Sequence, residues 1–159
     1  MTDAKTSLQT EGDDSSNVAK KWTKPLAEAG WTAIPTVIFE RQAALGLDAM
    51  DINIILHLAG YWWKAGNAPH PSKATIAAAM QVDPRTVQRR IAKLEGAGFI
   101  TRVARRHKKG GSATNQYLFT GLIKAATPFA LERLEEKKRR MTEATERATR
   151  KRPRLAVVK

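Results

Sequence analysis

The chain has 159 residues, a net charge of +13 and no cysteine. Its length favours one folded domain with some tail to spare, and the lack of cysteine excludes disulfide bonds and thiolate chemistry. The positive charge favours a polyanionic partner, either nucleic acid or an acidic membrane surface. It is concentrated in residues 84–109, which contain nine Lys or Arg and one acid, Glu95.

The two ends of the chain differ in composition from its middle. Residues 1–21 are polar and mildly acidic, without the apolar segment of a secretory signal, and we predict that they are disordered. We assign residues 22–123 to the folded domain and residues 124–159 to a basic C-terminal helix and tail. The most apolar run, residues 52–63, is too short to span a bilayer, so we expect a cytoplasmic protein.

The domain is predicted to start with an extended arm, residues 31–35, before a helix that begins near Pro35. The next helix has a clearer start, because Asp48 can cap it while Asp51 reaches back, as in a capping box. Apolar residues cover most sides of this helix, which predicts burial at the centre of the domain. Trp62 and Trp63 continue the pattern, so we interpret them as core residues rather than as a platform for stacking bases.

Two short helices follow, joined by a tight turn. Ser72 is placed to cap the first helix and Asp83 to cap the second, with Pro84 at the first helical position. An apolar stripe at helical spacing marks the inner face of the second helix: Val87, Ile91 and Leu94.

The remaining pattern predicts a hairpin and one more helix. Residues 99–106 and 115–121 are typical of two strands joined by a basic, glycine-bearing loop. We predict that the last helix begins at Thr127 and Pro128. Its seven-residue repeat is a poor coiled-coil seam, so we interpret it as an exposed basic helix that adds non-specific DNA affinity. Dimerisation through this helix is the weaker alternative.

The stretch "PSKATIAAAMQVDPRTVQRRIAKLEGAGFI", with a helix before it and a hairpin after it, resembles the winged helix-turn-helix family. It is most similar to domains of bacterial, phage and plasmid regulators and replication proteins, over roughly residues 45–123. The resemblance implies a mainly α fold with a small β-hairpin wing, in which the helix from Pro84 enters the DNA major groove. The chain departs from the family at Gln81, where Gly is frequent, and at Asp83, whose carboxylate competes with phosphate for free helix amides.

The second helix of this motif carries the strongest candidates for reading bases. If the apolar stripe faces inward, Arg85 and Arg89 project outward, one turn apart, with polar side chains beside them. Arg can bond bidentately to guanine and Gln88 to adenine. Arg90, nearer the stripe, suits a backbone phosphate or an intramolecular acid. The full set of candidate DNA contacts is Ser72, Lys73, Arg85, Thr86, Gln88, Arg89, Arg90, Lys93, Arg105, Arg106, His107, Lys108 and Lys109.

We therefore expect a double-stranded DNA-binding protein with some sequence preference, used to regulate transcription of a bacterial mobile element. The alternatives are a phage or plasmid replication-initiation accessory protein, or a basic module that docks structured RNA or an acidic protein. No nucleophile–base pair, phosphate-binding loop or metal-ligand spacing is recognisable, so we predict no enzyme activity, metal site or cofactor.

No membrane partner or small-molecule ligand is predicted either. A homodimer is left open, because one recognition helix reads only a few base pairs. Apolar residues between positions 22 and 39 either form a dimer contact or complete the core.

Overall fold

A computed structural model describes residues 16–64, 66–106 and 110–150. The protein is mainly α and has, in this described part, one two-stranded antiparallel hairpin, which confirms the predicted fold class. In chain order the elements are α1 (its described part covers residues 16–22), α2 (Lys24–Glu28), α3 (Thr36–Glu40), α4 (Ala49–Ala59), α5 (Lys73–Met80), α6 (Pro84–Gly96), β1 (Thr101–Arg106), β2 (Ser112–Leu118) and α7 (Thr120–Thr149).

Helix α4 lies at the centre of the hydrophobic core. Asp48 Oδ1 accepts a hydrogen bond from Asp51 N at 2.9 Å, and Asp51 Oδ2 accepts one from Asp48 N at 3.1 Å, which confirms the capping box. The inner residues of α4 are at most 1% exposed, and they share one cluster with the predicted stripe of α6: Ile54, Ile55, Leu58, Val87, Ile91 and Leu94. Each of these burials contributes about 1.5–3 kcal/mol.

Helix α4 is shorter than the apolar pattern that predicts it. It ends at Ala59, so Trp62 and Trp63 lie beyond it. Trp62 is 37% exposed and stacks on Phe119, with the ring centroids 5.5 Å apart, whereas Trp63 is 70% exposed. The core interpretation is therefore wrong for Trp63, and Trp62 covers only the edge of the core.

Helices α5 and α6 are joined by the predicted tight turn. Ser72 Oγ caps α5 by accepting a hydrogen bond from Thr75 N at 2.9 Å. Gln81 adopts the left-handed conformation, with φ 51° and ψ 44°, at a cost of about 1 kcal/mol relative to Gly. Asp83 Oδ1 caps α6 by accepting from Arg85 N at 2.7 Å. Both predicted caps are confirmed.

The second strand of the hairpin starts and ends three residues earlier than the sequence predicts. Strand β2 begins at Ser112 rather than at residue 115, so the connection is shorter, and residues 119–121 lie outside the strand. The register pairs Thr101 with Leu118 and Arg106 with Ser112, with an irregularity between Val103 and Arg105. Tyr117 N donates to Pro69 O at 2.9 Å, which fastens the base of the hairpin to the segment before α5.

Helix α7 begins at Thr120, not at Thr127, and Pro128 lies inside it. Its first turns pack into the core through Leu122 and Ala126, which are 2% and 5% exposed. This burial offsets the hydrogen bond that a proline removes from a helix. The boundary that we predict between residues 123 and 124 therefore falls within one continuous helix.

Gly121 allows α7 to approach the turn after α6. A Cβ at this position would lie 1.7 Å from the carbonyl oxygen of Gly98, so only glycine fits without a backbone shift. Further along, α7 is tied to α3 and the turn that follows it by ion pairs of Arg133 with Glu40 and of Glu132 with Arg41.

The N-terminal region differs in part from its prediction. Residues 16–21 are helical, so the predicted disorder of residues 1–21 is wrong for these positions; residues 1–15 lie outside the described part. The arm at residues 31–35 and the helix after Pro35 are confirmed. Val37 and Ile38 complete the core.

Within the described residues, no helix has the length and apolar content needed to cross a bilayer.

Candidate nucleic-acid interface

The face of α6 opposite the core is polar and basic. Arg85, Gln88 and Arg89 are exposed on it. Neither arginine has an ion pair with another residue in the described part of the chain. Lys73 Nζ of α5 donates to Gln88 Oε1 at 3.2 Å, and these side chains border a shallow depression with Pro84. The helix-turn-helix pair therefore presents one continuous surface of donors to solvent.

A second side of α6 faces the start of α4 and is neutralised there. Arg90 pairs with Asp48, and its Nη1 lies 3.3 Å from Asp51 Oδ1. Lys93 Nζ lies 2.5 Å from Asp51 Oδ2 and 3.6 Å from Asp48 Oδ2. The Asp51 side chain is fully buried, so the two cations and the capping box form one network that joins α4 to α6. We call these four residues the acid–base cluster.

The cluster shifts the ionisation of its members. The backbone amide of Asp51 and the guanidinium of Arg90 lower the pKa of Asp48 from 3.8 to about 2. The hydrogen bond to Asp48 raises the pKa of Arg90, and the hydrogen bond to Asp51 raises the pKa of Lys93. Asp48, Arg90 and Lys93 therefore stay charged across the neutral range.

The structure separates the α6 candidates into two groups. Arg85, Gln88 and Arg89 share the outer face, while Arg90 and Lys93 lie against the Asp48 and Asp51 carboxylates. The intramolecular acid that we considered for Arg90 is present. The sequence did not predict that Asp51 pairs with both cations. Asp51 lies 39 residues from Arg90 and 42 residues from Lys93, and no local pattern connects positions so far apart. Thr86 is half-buried near the N-terminus of α6.

The N-terminus of α6 has fewer free backbone amides to bind a phosphate than an uncapped helix end. The amide of Arg85 already donates to the Asp83 carboxylate. At α5, Ser72 Oγ accepts from Thr75 N and lies 2.7 Å from Thr75 Oγ1, so its hydroxyl is engaged as a cap. The predicted DNA contact of Ser72 stays a prediction.

The hairpin carries its own basic side chains beside α6. Arg102 Nη2 lies 3.0 Å from Glu95 Oε2, which links β1 to the C-terminal half of α6. Arg105 and Arg106 lie at the far end of β1 and have no ion pair within the described residues. The predicted contacts His107, Lys108 and Lys109 lie outside the described residues.

Residues 45–100 match the family described as a helix-turn-helix domain. The N-terminal domain of DnaD protein from Geobacillus kaustophilus has a similar fold, with a TM-score of 0.51 and 19% identity, over 76% of this chain and 96% of that one. The described residues thus have the fold of a winged helix-turn-helix domain. The family match and the basic outer face of α6 together support DNA binding.

A protein described as a possible transcriptional regulator from Methanosarcina mazei is also similar, at 15% identity and a TM-score of 0.43. That alignment covers 72% of this chain and 97% of the other. No curated protein matches the chain.

Proposed function

We propose that the chain binds double-stranded DNA with a sequence preference, and that the outer face of α6 reads the bases. The observation that carries this proposal is the sorting of cations on α6. Arg90 and Lys93 are paired with Asp48 and Asp51, whereas Arg85 and Arg89 are exposed and unpaired within the described residues.

The unpaired arginines on this face are suited to hydrogen bonding with base edges, and they do not stabilise the fold. Two unpaired cations four residues apart repel each other slightly, so the helix gains no stability from them. Each guanidinium can donate two parallel hydrogen bonds to guanine O6 and N7. Gln88, held by Lys73 at 3.2 Å, is presented beside them with an amide that suits adenine.

The remaining cations are proposed to position the protein on the backbone. Arg105 and Arg106 end β1, and the glycines that follow the loop, Gly110 and Gly111, have φ of 89° and 96°. Lys108 and Lys109 precede these glycines in the sequence, and cations at such a position suit phosphate contacts better than fixed base edges. The exposed C-terminal half of α7 is proposed to add further non-specific affinity.

Within the DNA-binding class we propose regulation of transcription for a bacterial mobile element. A replication-initiation accessory role predicts the same chemistry at a different site on the DNA. Selection from a random duplex pool, followed by footprinting, separates the two roles: a regulator's site overlaps a promoter, and an initiator's site recurs in repeats at an origin.

The same selection tests the proposal against a basic interaction module. A reader of duplex DNA keeps a preferred sequence over competitor DNA at elevated salt, because base contacts do not depend on counterion release. If no sequence is enriched and all binding disappears as salt rises, the chain acts as a polycation and the proposed function is wrong.

A further inference from the structure

Lys73, the first residue of α5, contacts α6 across the shallow depression between the two helices. Its Nζ donates to Gln88 Oε1 at 3.2 Å, although the two residues are 15 positions apart in the chain. Pro84, Arg85 and Arg89 complete the lining of the depression. Lys73 forms no ion pair with any other described residue. This cation of α5 therefore contacts a neutral amide on the outer face of α6.

The core and a helix cap set the backbone on both sides of this contact. Ile76 of α5 and Val87 of α6 are 1% and 0% exposed and belong to one cluster. Ser72, directly before Lys73, caps α5 by accepting a hydrogen bond from Thr75 N. The backbone positions of Lys73 and Gln88 are therefore fixed, and only their side chains rotate.

The contact orients the Gln88 amide in one direction. A lysine ammonium has three donors and no acceptor, so the amide atom that faces it has to be the oxygen. If the amide turned over, its Nε2 would face the ammonium, donor against donor. Oε1 therefore lies on the side of Lys73, and the donors of Nε2 are turned away from it.

This orientation matters because adenine presents two different groups in the major groove, the acceptor N7 and the donor N6. A Gln amide pairs with both only when its nitrogen faces N7 and its oxygen faces N6. An amide oxygen accepts two hydrogen bonds, so Oε1 can bond to N6 while Lys73 occupies its other lone pair. An amide that turns over places its nitrogen opposite N6, where it instead suits O6 of guanine.

We propose that Lys73 is a positioning residue for base recognition, which holds the Gln88 amide in the orientation that selects adenine at one position of the DNA site. The inference rests on the proposed function, since it requires that the outer face of α6 reads duplex DNA. It adds a residue of α5 to the determinants of base preference. A lysine that contacts only phosphate would instead strengthen binding to all duplexes alike.

The test is a double-mutant cycle of Lys73 and Gln88, measured as base preference at each position of the site. The parent, Lys73→Met, Gln88→Ala and the double variant each select from the same random duplex pool at fixed salt. Met keeps an apolar stem similar to that of Lys but has no charged donor. Gln88→Ala identifies the position that Gln88 reads, and we expect the parent to prefer adenine there.

We expect Lys73→Met to lower the preference for adenine over guanine at that position by about threefold to tenfold, as for the loss of one exposed hydrogen bond. All other positions keep their preference. In the Gln88→Ala background, Lys73→Met changes no preference further, because the amide through which Lys73 acts is absent. Lys73→Arg keeps the parent's preference, since Arg also presents only donors.

Lys124→Met is the matched control for charge. Lys124 is exposed on α7, outside the lining of the depression, and has no ion pair within the described part of the chain. The substitution removes one positive charge and leaves the Gln88 amide in place. It is expected to preserve the base preference at every position, which separates the loss of charge from the loss of orientation.

Three results overturn the inference while the parent still selects a site. An unchanged preference in Lys73→Met, with an even loss of affinity on all duplexes, assigns Lys73 to phosphate. An equal change of preference in the Gln88→Ala background shows that Lys73 contacts a base itself. If no position responds to Gln88→Ala, Gln88 reads no base. If the parent itself selects no sequence, the proposed function fails and the inference fails with it.

Discussion

Helix α6 uses the same residue types differently on its two polar sides. On the side that faces α4, Arg90 and Lys93 contact the carboxylates of Asp48 and Asp51, and the Asp51 side chain is fully buried. On the outer side, Arg85 and Arg89 form no ion pair with any other described residue. One side joins two helices, and the other is left open to solvent.

The difference shows that the role of a cation on this helix is set by acids far away in the sequence. The acid–base cluster fixes α6 against α4 and so fixes the direction in which Arg85 and Arg89 point. We infer that the two sides are separable: changes to the cluster reduce stability, and changes to the outer face reduce DNA recognition.

The largest effect is expected for Asp51→Ala. This change removes one half of the capping box and leaves Arg90 and Lys93 facing a single acid. Because both cations are partly exposed, the expected loss is below that of a fully buried pair, about 2–4 kcal/mol in the free energy of unfolding. Urea denaturation measures it.

Asp51→Asn separates the loss of the capping hydrogen bond from the loss of the ion pairs. An Asn side chain can still accept the hydrogen bond from Asp48 N, but it cannot balance the cations. We expect Asp51→Asn to lie between the parent and Asp51→Ala. Equal stability of Asp51→Asn and the parent would mean that the ion pairs contribute nothing.

Arg90→Ala is expected to cost less, about 1 kcal/mol of unfolding free energy, because Lys93 remains to balance Asp51. Preference between cognate and random duplexes should not change at matched folded fraction. A selective loss on cognate DNA would show that Arg90 leaves the cluster to contact bases, and the separation of the two sides would not hold.

The pH dependence of stability also reports on the cluster. The pKa of Asp48 in the folded protein is about 2, below its unfolded value of about 3.9, so folding favours the ionised form. The contribution is therefore fully present above about pH 4 and is lost as the pH falls towards 2. Allowing for the half-exposed side chain, we expect about 1 kcal/mol at neutral pH.

Asp48→Asn is the matched control, since Asn caps a helix as well as Asp but does not titrate. The difference in unfolding free energy between parent and Asp48→Asn should shrink between pH 4 and pH 2, where Asp48 takes up its proton. A constant difference would show that the Asp51 amide and Arg90 do not lower the pKa of Asp48 in the folded protein.

The smallest effect is expected at the wing. Replacing both Lys108 and Lys109 with Ala should weaken binding to cognate and random duplexes by a similar factor. The number of counterions released on binding, read from the slope of affinity against salt concentration, should fall by about two. Binding as a function of salt concentration measures this. Loss confined to an A·T-rich flank of the site would indicate minor-groove readout instead.

Local patterns in the sequence were sufficient to predict the starts of α4, α5 and α6. Asp48, Ser72 and Asp83 cap their helices because a cap involves residues two or three positions apart, and these contacts need no tertiary structure. The stripe of α6 was equally accessible, since a period of 3.6 residues fixes which side is buried.

Tertiary contacts account for what the sequence did not predict. Pro128 suggested a helix start, but burial of Leu122 and Ala126 extends α7 back to Thr120. The close contact of Gly121 with Gly98 and the pairing of Asp51 with Lys93 join positions more than 20 residues apart. No periodicity indicates such partners. The exposure of Arg85, Gln88 and Arg89 was predictable because it depends only on the periodicity of one helix.

The most direct test compares Arg85→Ala, Arg89→Ala and Arg90→Ala by the ratio of cognate to random duplex affinity at fixed salt. Arg85→Ala and Arg89→Ala should leave stability within about 0.5 kcal/mol of the parent. Each should cost about 1–3 kcal/mol on cognate DNA and relax the preference at one base position, while Arg90→Ala leaves the ratio unchanged. An unchanged ratio for both outer-face variants would contradict the account, because these arginines would then supply only charge.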